Sequence, residues 1–75
     1  MIIEKVIGNV ETLENKGLHV ERVYMNSDDL LKRIKRAVTD HGNELGIRLK
    51  ENQELHDGDI LYMDDRNMIV ISVLE

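Results

Sequence analysis

At 75 residues with a formal net charge of −5, the chain has room for one small domain and a thin core, not for a large internal active site. The absence of Cys excludes a disulfide framework and thiolate chemistry, and with no Phe or Trp the core must be built from Ile, Leu, Val and Met. The acidic balance, with no stacking aromatics in the basic stretch, argues against nucleic-acid binding.

Residues 1–7 carry Ile2, Ile3, Val6 and Ile7, which predicts a first strand ended at Gly8-Asn9. Glu4 and Lys5 interrupt it too early for a signal peptide, and nothing approaches the ~20 apolar residues of a membrane span, so a soluble cytoplasmic protein is expected. Residues 10–16 are polar and read as a loop. A second strand is predicted over 18–25, where Leu18, Val20 and Tyr24 alternate with His19, Glu21 and Val23. Ser27, Asp28 and Asp29 signal a helix start, with Ser27 as cap and the acids at the positive end of the helix dipole.

Leu30, Leu31, Ile34 and Val38 fit helical spacing, so a helix over 27–39 matches the pattern as well as a short helix over 27–32 followed by a strand. The second reading is preferred because 45–50, where Leu45, Ile47 and Leu49 alternate with Gly46, Arg48 and Lys50, needs a partner strand. The sequence Asp40-His41-Gly42-Asn43 supplies the hairpin turn between them. Apolar matching predicts Thr39 opposite Glu44, Val38 opposite Leu45 and Ile34 opposite Leu49. In that register Arg33 faces Lys50 and Lys35 faces Arg48, so four cations share one face. Residues 51–55 read as a polar connection and Asp57-Gly58-Asp59 as a turn. Residues 60–63 are a strand, and 68–74, MIVISVL, are a central strand buried on both faces. Six strands and one short helix predict a mainly β domain of two small packed three-stranded sheets.

The opening MIIEKVIGN, the run SDDLLKRIKRAVTDHGNELGIRLK and the later DGDILYMDD resemble the amino-terminal domain of the urease accessory protein family UreE. The resemblance covers nearly the whole chain as a single β domain, 1–75. It implies two three-stranded sheets, similar to the peptide-binding module of some protein chaperones, and it supports the short helix. It also implies a role in carrying nickel to urease, with urease apoprotein and other accessory proteins as partners. The family's nickel histidine and its homodimer contact belong to a second domain. This chain stops at Glu75, so neither metal nor cofactor is expected in it.

Candidate sites within the chain are few. His19, His41 and His56 show no ligand spacing and read as strand-edge or turn residues. Asp57, Asp59, Asp64 and Asp65 lack the order of a calcium loop and read as turn formers. Met25, Met63 and Met68 read as core filling. Ser27 and Ser72 have no neighbouring base, and no enzyme signature is present. The stretch 32–50 holds six basic and two acidic side chains, whereas the rest holds four basic and thirteen acidic ones. That polarity predicts a protein-binding face at Arg33, Lys35, Arg48 and Lys50, which would dock an acidic segment of a partner. A nickel-delivery interaction domain is the leading reading, a free-standing β interaction module unrelated to metal delivery is the alternative, and a small enzyme ranks last.

Overall fold

Two β-sheets pack face to face in the computed structural model, which describes residues 1–11, 17–50 and 54–74. The loop expected at 10–16 and the connection expected at 51–55 fall largely outside these residues. The described strands are β1 (Ile2–Ile3), β2 (Gly8–Asn9), β3 (His19–Asn26), β4 (Ile34–Val38), β5 (Glu44–Arg48), β6 (Asp59–Met63) and β7 (Asn67–Leu74). One sheet has the order β1-β5-β4 and the other β2-β6-β7-β3.

The mainly β fold class expected from the sequence is correct, but the sheets have three and four strands rather than three each. The reason lies at the start of the chain. The strand expected over 1–7 is only Ile2–Ile3, which pairs in parallel with Gly46 and Ile47, and Gly8-Asn9, expected to end it, forms a strand of its own, antiparallel to Ile60 and Asp59. One segment thereby supplies an edge to each sheet.

β7 is the centre of the larger sheet. It pairs antiparallel with β6, with a bulge between Ile60 and Tyr62, and in parallel with β3 from His19↔Asn67 to Asn26↔Leu74. Met68, Ile69, Val70 and Ile71 are buried in succession, as expected for a strand covered on both faces. Ile69 and Ile71 join Ile3, Val23, Met25, Leu45 and Ile47 in the main core between the sheets. Met68 and Val70 join Ile60 in a smaller cluster on the other face, packed by Leu18 and Val20. β3 therefore serves both cores, Val23 and Met25 on one side and Val20 on the other. Leu55, read from sequence as part of a polar connection, is buried in the main core, whereas Met63 is exposed and not core filling.

The hairpin β4–β5 forms, so Ile34–Val38 is strand and the long-helix pattern is not adopted. Its register is one residue away from the expected one: Ile34↔Arg48, Lys35↔Ile47, Arg36↔Gly46, Ala37↔Leu45 and Val38↔Glu44. Turn chemistry explains the shift. The Thr39 N–H donates to the Asn43 carbonyl at 2.9 Å, closing a three-residue loop whose last residue is Gly42 at φ +83°. Three-residue hairpin loops place a left-handed residue at that position, which glycine adopts without strain. Thr39 Oγ1 also accepts the backbone N–H groups of His41 and Asn43, each at 3.2 Å, which locks the loop. A three-residue loop cannot hold the register that apolar matching favours, so Ile34 and Val38 point to solvent and Ala37 and Thr39 point inward.

Ahead of the hairpin, Ser27–Leu31 forms a 3-10 helix. Asn26 rather than Ser27 holds the N-cap position, and its N–H donates to Asp29 Oδ2 at 3.4 Å.

Candidate functional site

The small sheet has one covered face and one open face. On the covered side Ile3, Leu45 and Ile47 enter the main core. On the open side, cross-strand pairing lays out three rows: Val38 beside Glu44, then Arg36, Gly46 and Ile2, then Ile34 beside Arg48. Ile2, Val38 and Ile34 are exposed by 66, 56 and 76%, which is unusual for three aliphatic side chains on one sheet face. At the centre, a Cβ built on Gly46 would have no atom within 4 Å, so the floor of this face is bare backbone. A shallow trough runs along it, lined by Ile2, Ile34, Lys35, Arg36, Gly46, Ile47 and Arg48.

Two cations frame the trough. Among the described residues neither Arg36 nor Arg48 has a carboxylate partner, and they sit diagonally across the strands rather than opposite each other. This relieves the direct like-charge opposition that the expected register would impose.

The four cations predicted to share a face, Arg33, Lys35, Arg48 and Lys50, do not. Lys35 lies opposite Ile47 on the inward side of β4, half-buried, with its Nζ 3.1 Å from Asp29 Oδ1. Lys32 reaches the same oxygen at 3.3 Å. The Asp29 carboxyl is held below the ordinary aspartate range, chiefly by the hydrogen bond from Lys35, against the opposing effect of burial. Lys35 thus ties the 3-10 helix to the sheet. The Arg33 carbonyl accepts the Leu49 N–H at 2.8 Å beyond the end of the hairpin strands, and Lys50 follows on the exposed side. Of the four, Arg48 stands on the open face and lines the trough, and Lys35 lines it too while engaged by Asp29. Arg36, Ile2, Ile34 and Val38 were missed, although the small residues Ala37 and Thr39 alternating with them could have marked the buried side of β4.

The tip of the hairpin is closed against β3. The Asp40 N–H donates to the Arg22 carbonyl at 2.9 Å, and the Arg22 N–H donates to Asp40 Oδ1 at 3.0 Å. Glu21 is nearly buried and its Oε1 accepts from both Thr39 Oγ1 and Asn43 Nδ2 at 2.7 Å. The bond from Thr39, followed by that from Asn43, holds the Glu21 carboxyl below its usual range. His41 is exposed in the turn and His19 is exposed at the first position of β3, as the sequence suggests, but the two rings touch.

The aspartates act as turn formers. Asp59 Oδ2 accepts the His56 N–H at 2.7 Å, Asp57 Oδ1 accepts the Val73 N–H at 2.9 Å, and Asp64 Oδ1 accepts the N–H groups of Arg66 and Asn67 at 2.8 and 2.7 Å. Ser72 Oγ accepts from Arg22 Nη1 at 3.1 Å. Among the described residues no three His, Asp or Glu side chains converge as a metal cage, and no helix is long and apolar enough to cross a membrane.

Fold and site together define a small two-sheet β domain with one uncovered sheet face that carries a shallow trough. The family model described as "UreE urease accessory protein, N-terminal domain" matches residues 3–74, and the chain belongs to that family. It is 75% identical over 75 residues to the urease accessory protein UreE of Bacillus sp. (strain TB-90), covering all of this chain and 51% of that protein. It is 69% identical over 74 residues to UreE of Geobacillus kaustophilus, covering 99% of the chain and 50% of the relative. The match to UreE of Staphylococcus carnosus is 59% over 75 residues, covering 97% and 50%. The chain spans about half the length of the curated relatives it matches.

Proposed function

We propose that this domain is the non-catalytic protein-docking part of a cytoplasmic nickel metallochaperone that assists nickel insertion into urease. Its open sheet face receives an acidic, aliphatic-bearing segment of urease apoprotein or of another urease accessory protein. Nickel is the cargo, carried by the portion of the full-length protein that this chain does not cover, and the homodimer contact lies in that portion too.

The observation that carries this reading is the pairing of three exposed aliphatic side chains, Ile2, Ile34 and Val38, with Arg36 and Arg48 around the bare floor at Gly46. Such a face has apolar area to bury and cations to orient an acidic partner. In an encounter of this kind electrostatics mainly raises the association rate, and salt weakens it. Family membership supports the urease side of the reading.

The test is the double reversal of Arg36→Glu and Arg48→Glu, measured as the association rate with the urease assembly across a salt series. The rate falls most at low salt while the circular dichroism spectrum is unchanged. An unaltered rate and salt dependence would remove this face from the docking role. Lys35→Glu is the contrasting variant: its partner is Asp29, so it loosens the 3-10 helix while Arg36 and Arg48 stay in place.

A further inference from the structure

His19 and His41 are 22 positions apart, yet His19 Nε2 lies 3.3 Å from His41 Nδ1. The ring centroids are 4.4 Å apart and the planes are nearly perpendicular, at 85°. We propose that these two imidazoles form a surface site for a tetrahedral divalent cation that favours nitrogen ligands, such as Zn2+, with water completing its coordination.

Three observations carry it. First, the spacing suits a metal. Two imidazole nitrogens at about 2.0–2.1 Å from a tetrahedral cation stand about 3.3–3.4 Å apart. The gap is longer than the about 2.9–3.0 Å usual for an N–H hydrogen bond, so the direct contact is a weak competitor. Second, His41 is arranged like a ligand with outer support. The nitrogen turned away from His19, Nε2, lies 3.6 Å from Asp40 Oδ1, and a carboxylate there favours the tautomer that leaves Nδ1 free to bind. In the metal-free pair one ring donates its N–H to the other. On binding, that ring moves its proton to its outward nitrogen, so no net proton is lost from two neutral imidazoles. Third, the two rings are held from rigid elements. The reciprocal bonds between Asp40 and Arg22, and those from Thr39 and Asn43 to Glu21, fix the hairpin tip on β3. The carboxylates of Glu21 and Asp40 also make the surroundings favourable to a cation.

The site lies at the hairpin tip, away from the trough, and does not rest on the docking reading. His56, beside Glu54 and Asp59, provides an internal control.

The test is a titration of the chain with zinc chloride, followed by NMR of the imidazole ring protons. The ring signals of His19 and His41 move together and saturate at one equivalent, while those of His56 stay in place. His19→Gln and His41→Gln each weaken binding by more than the about tenfold typical of losing a supporting group, and His56→Gln leaves it unchanged. Binding that follows His56, or ring signals of His19 and His41 that stay still at a large molar excess of metal, overturns the proposal. The ring signals of the unsubstituted chain decide the matter even if a variant folds poorly.

Discussion

The two sheets of this domain use aliphatic residues in opposite ways. In the four-stranded sheet, β7 is covered on both sides, and Met68 through Ile71 are buried without interruption. In the three-stranded sheet only one face is covered, and Ile2, Ile34 and Val38 are left in water on the other. The difference teaches that an aliphatic side chain in this protein is not by itself a mark of core. Along β7 it stabilises the fold, and on the outer face of the smaller sheet it is exposed surface.

The largest effect should come from testing that contrast directly. Ile71→Ala empties a fully buried position in the main core and is expected to cost about 2–5 kcal/mol. For a domain this small, with total stability of about 5–15 kcal/mol at most, the urea midpoint should fall sharply. Ile34→Ala on the open face should stay within about 0.5 kcal/mol by the same measurement. Comparable losses in the two variants would mean that the outer face is covered in solution and would break the comparison.

Next comes the junction between the sheets. Thr39→Ala removes the donor to Glu21 and the acceptor for two loop N–H groups, at an expected cost of about 1–3 kcal/mol. Its effect depends on pH. Because the folded-state pKa of Glu21 is depressed, its stabilisation is fully present above the unfolded glutamate value of about 4.3 and is lost as pH falls through the folded value. Thr39→Ala should therefore flatten the acid side of the stability-against-pH curve, measured by thermal midpoints. A parallel downward displacement of the whole curve would assign the loss to the loop rather than to the carboxylate.

Two glycines sharpen the contrast further. Gly42 and Gly58 both sit at φ +83°, so alanine at either incurs the left-handed penalty of about 1–2 kcal/mol. At Gly42 a Cβ would meet nothing within 4 Å, but at Gly58, where β6 begins, it would lie 2.9 Å from Val10 Cγ2. Gly58→Ala should thus cost about 1 kcal/mol more than Gly42→Ala in paired urea melts. Equal losses would show that the region around β6 yields as readily as the hairpin tip.

What the sequence made legible follows the same divide. The run MIVISVL announces a strand buried on both faces because every position but Ser72 is apolar, and no register is needed to read it. The β4–β5 hairpin is legible as a hairpin from Gly42 and Asn43, but not in its register, because loop length and apolar matching disagree by one residue and the loop prevails. That one residue sets Lys35 opposite Ile47, where it reaches Asp29, and brings Arg36 onto the open face beside Arg48. The contact of His19 with His41 and the burial of Leu55 depend on how distant segments meet, for which local spacing holds no signal.

The pairing order has a consequence for when the open face comes into being. β7, the centre of one sheet, is the last strand in chain order, and its parallel partner β3 is among the earliest. β1 likewise joins β5 across more than half of the chain. Such pairings close long loops before contacts compensate, which slows folding relative to a string of local hairpins. On the ribosome, β4–β5 can form early, but the inner side of its sheet has nothing to rest on until residues through Leu74 have been synthesised. A partially synthesised chain therefore offers a partner no finished surface. Display of the trough is all-or-none, coupled to completion of a strand in the opposite sheet.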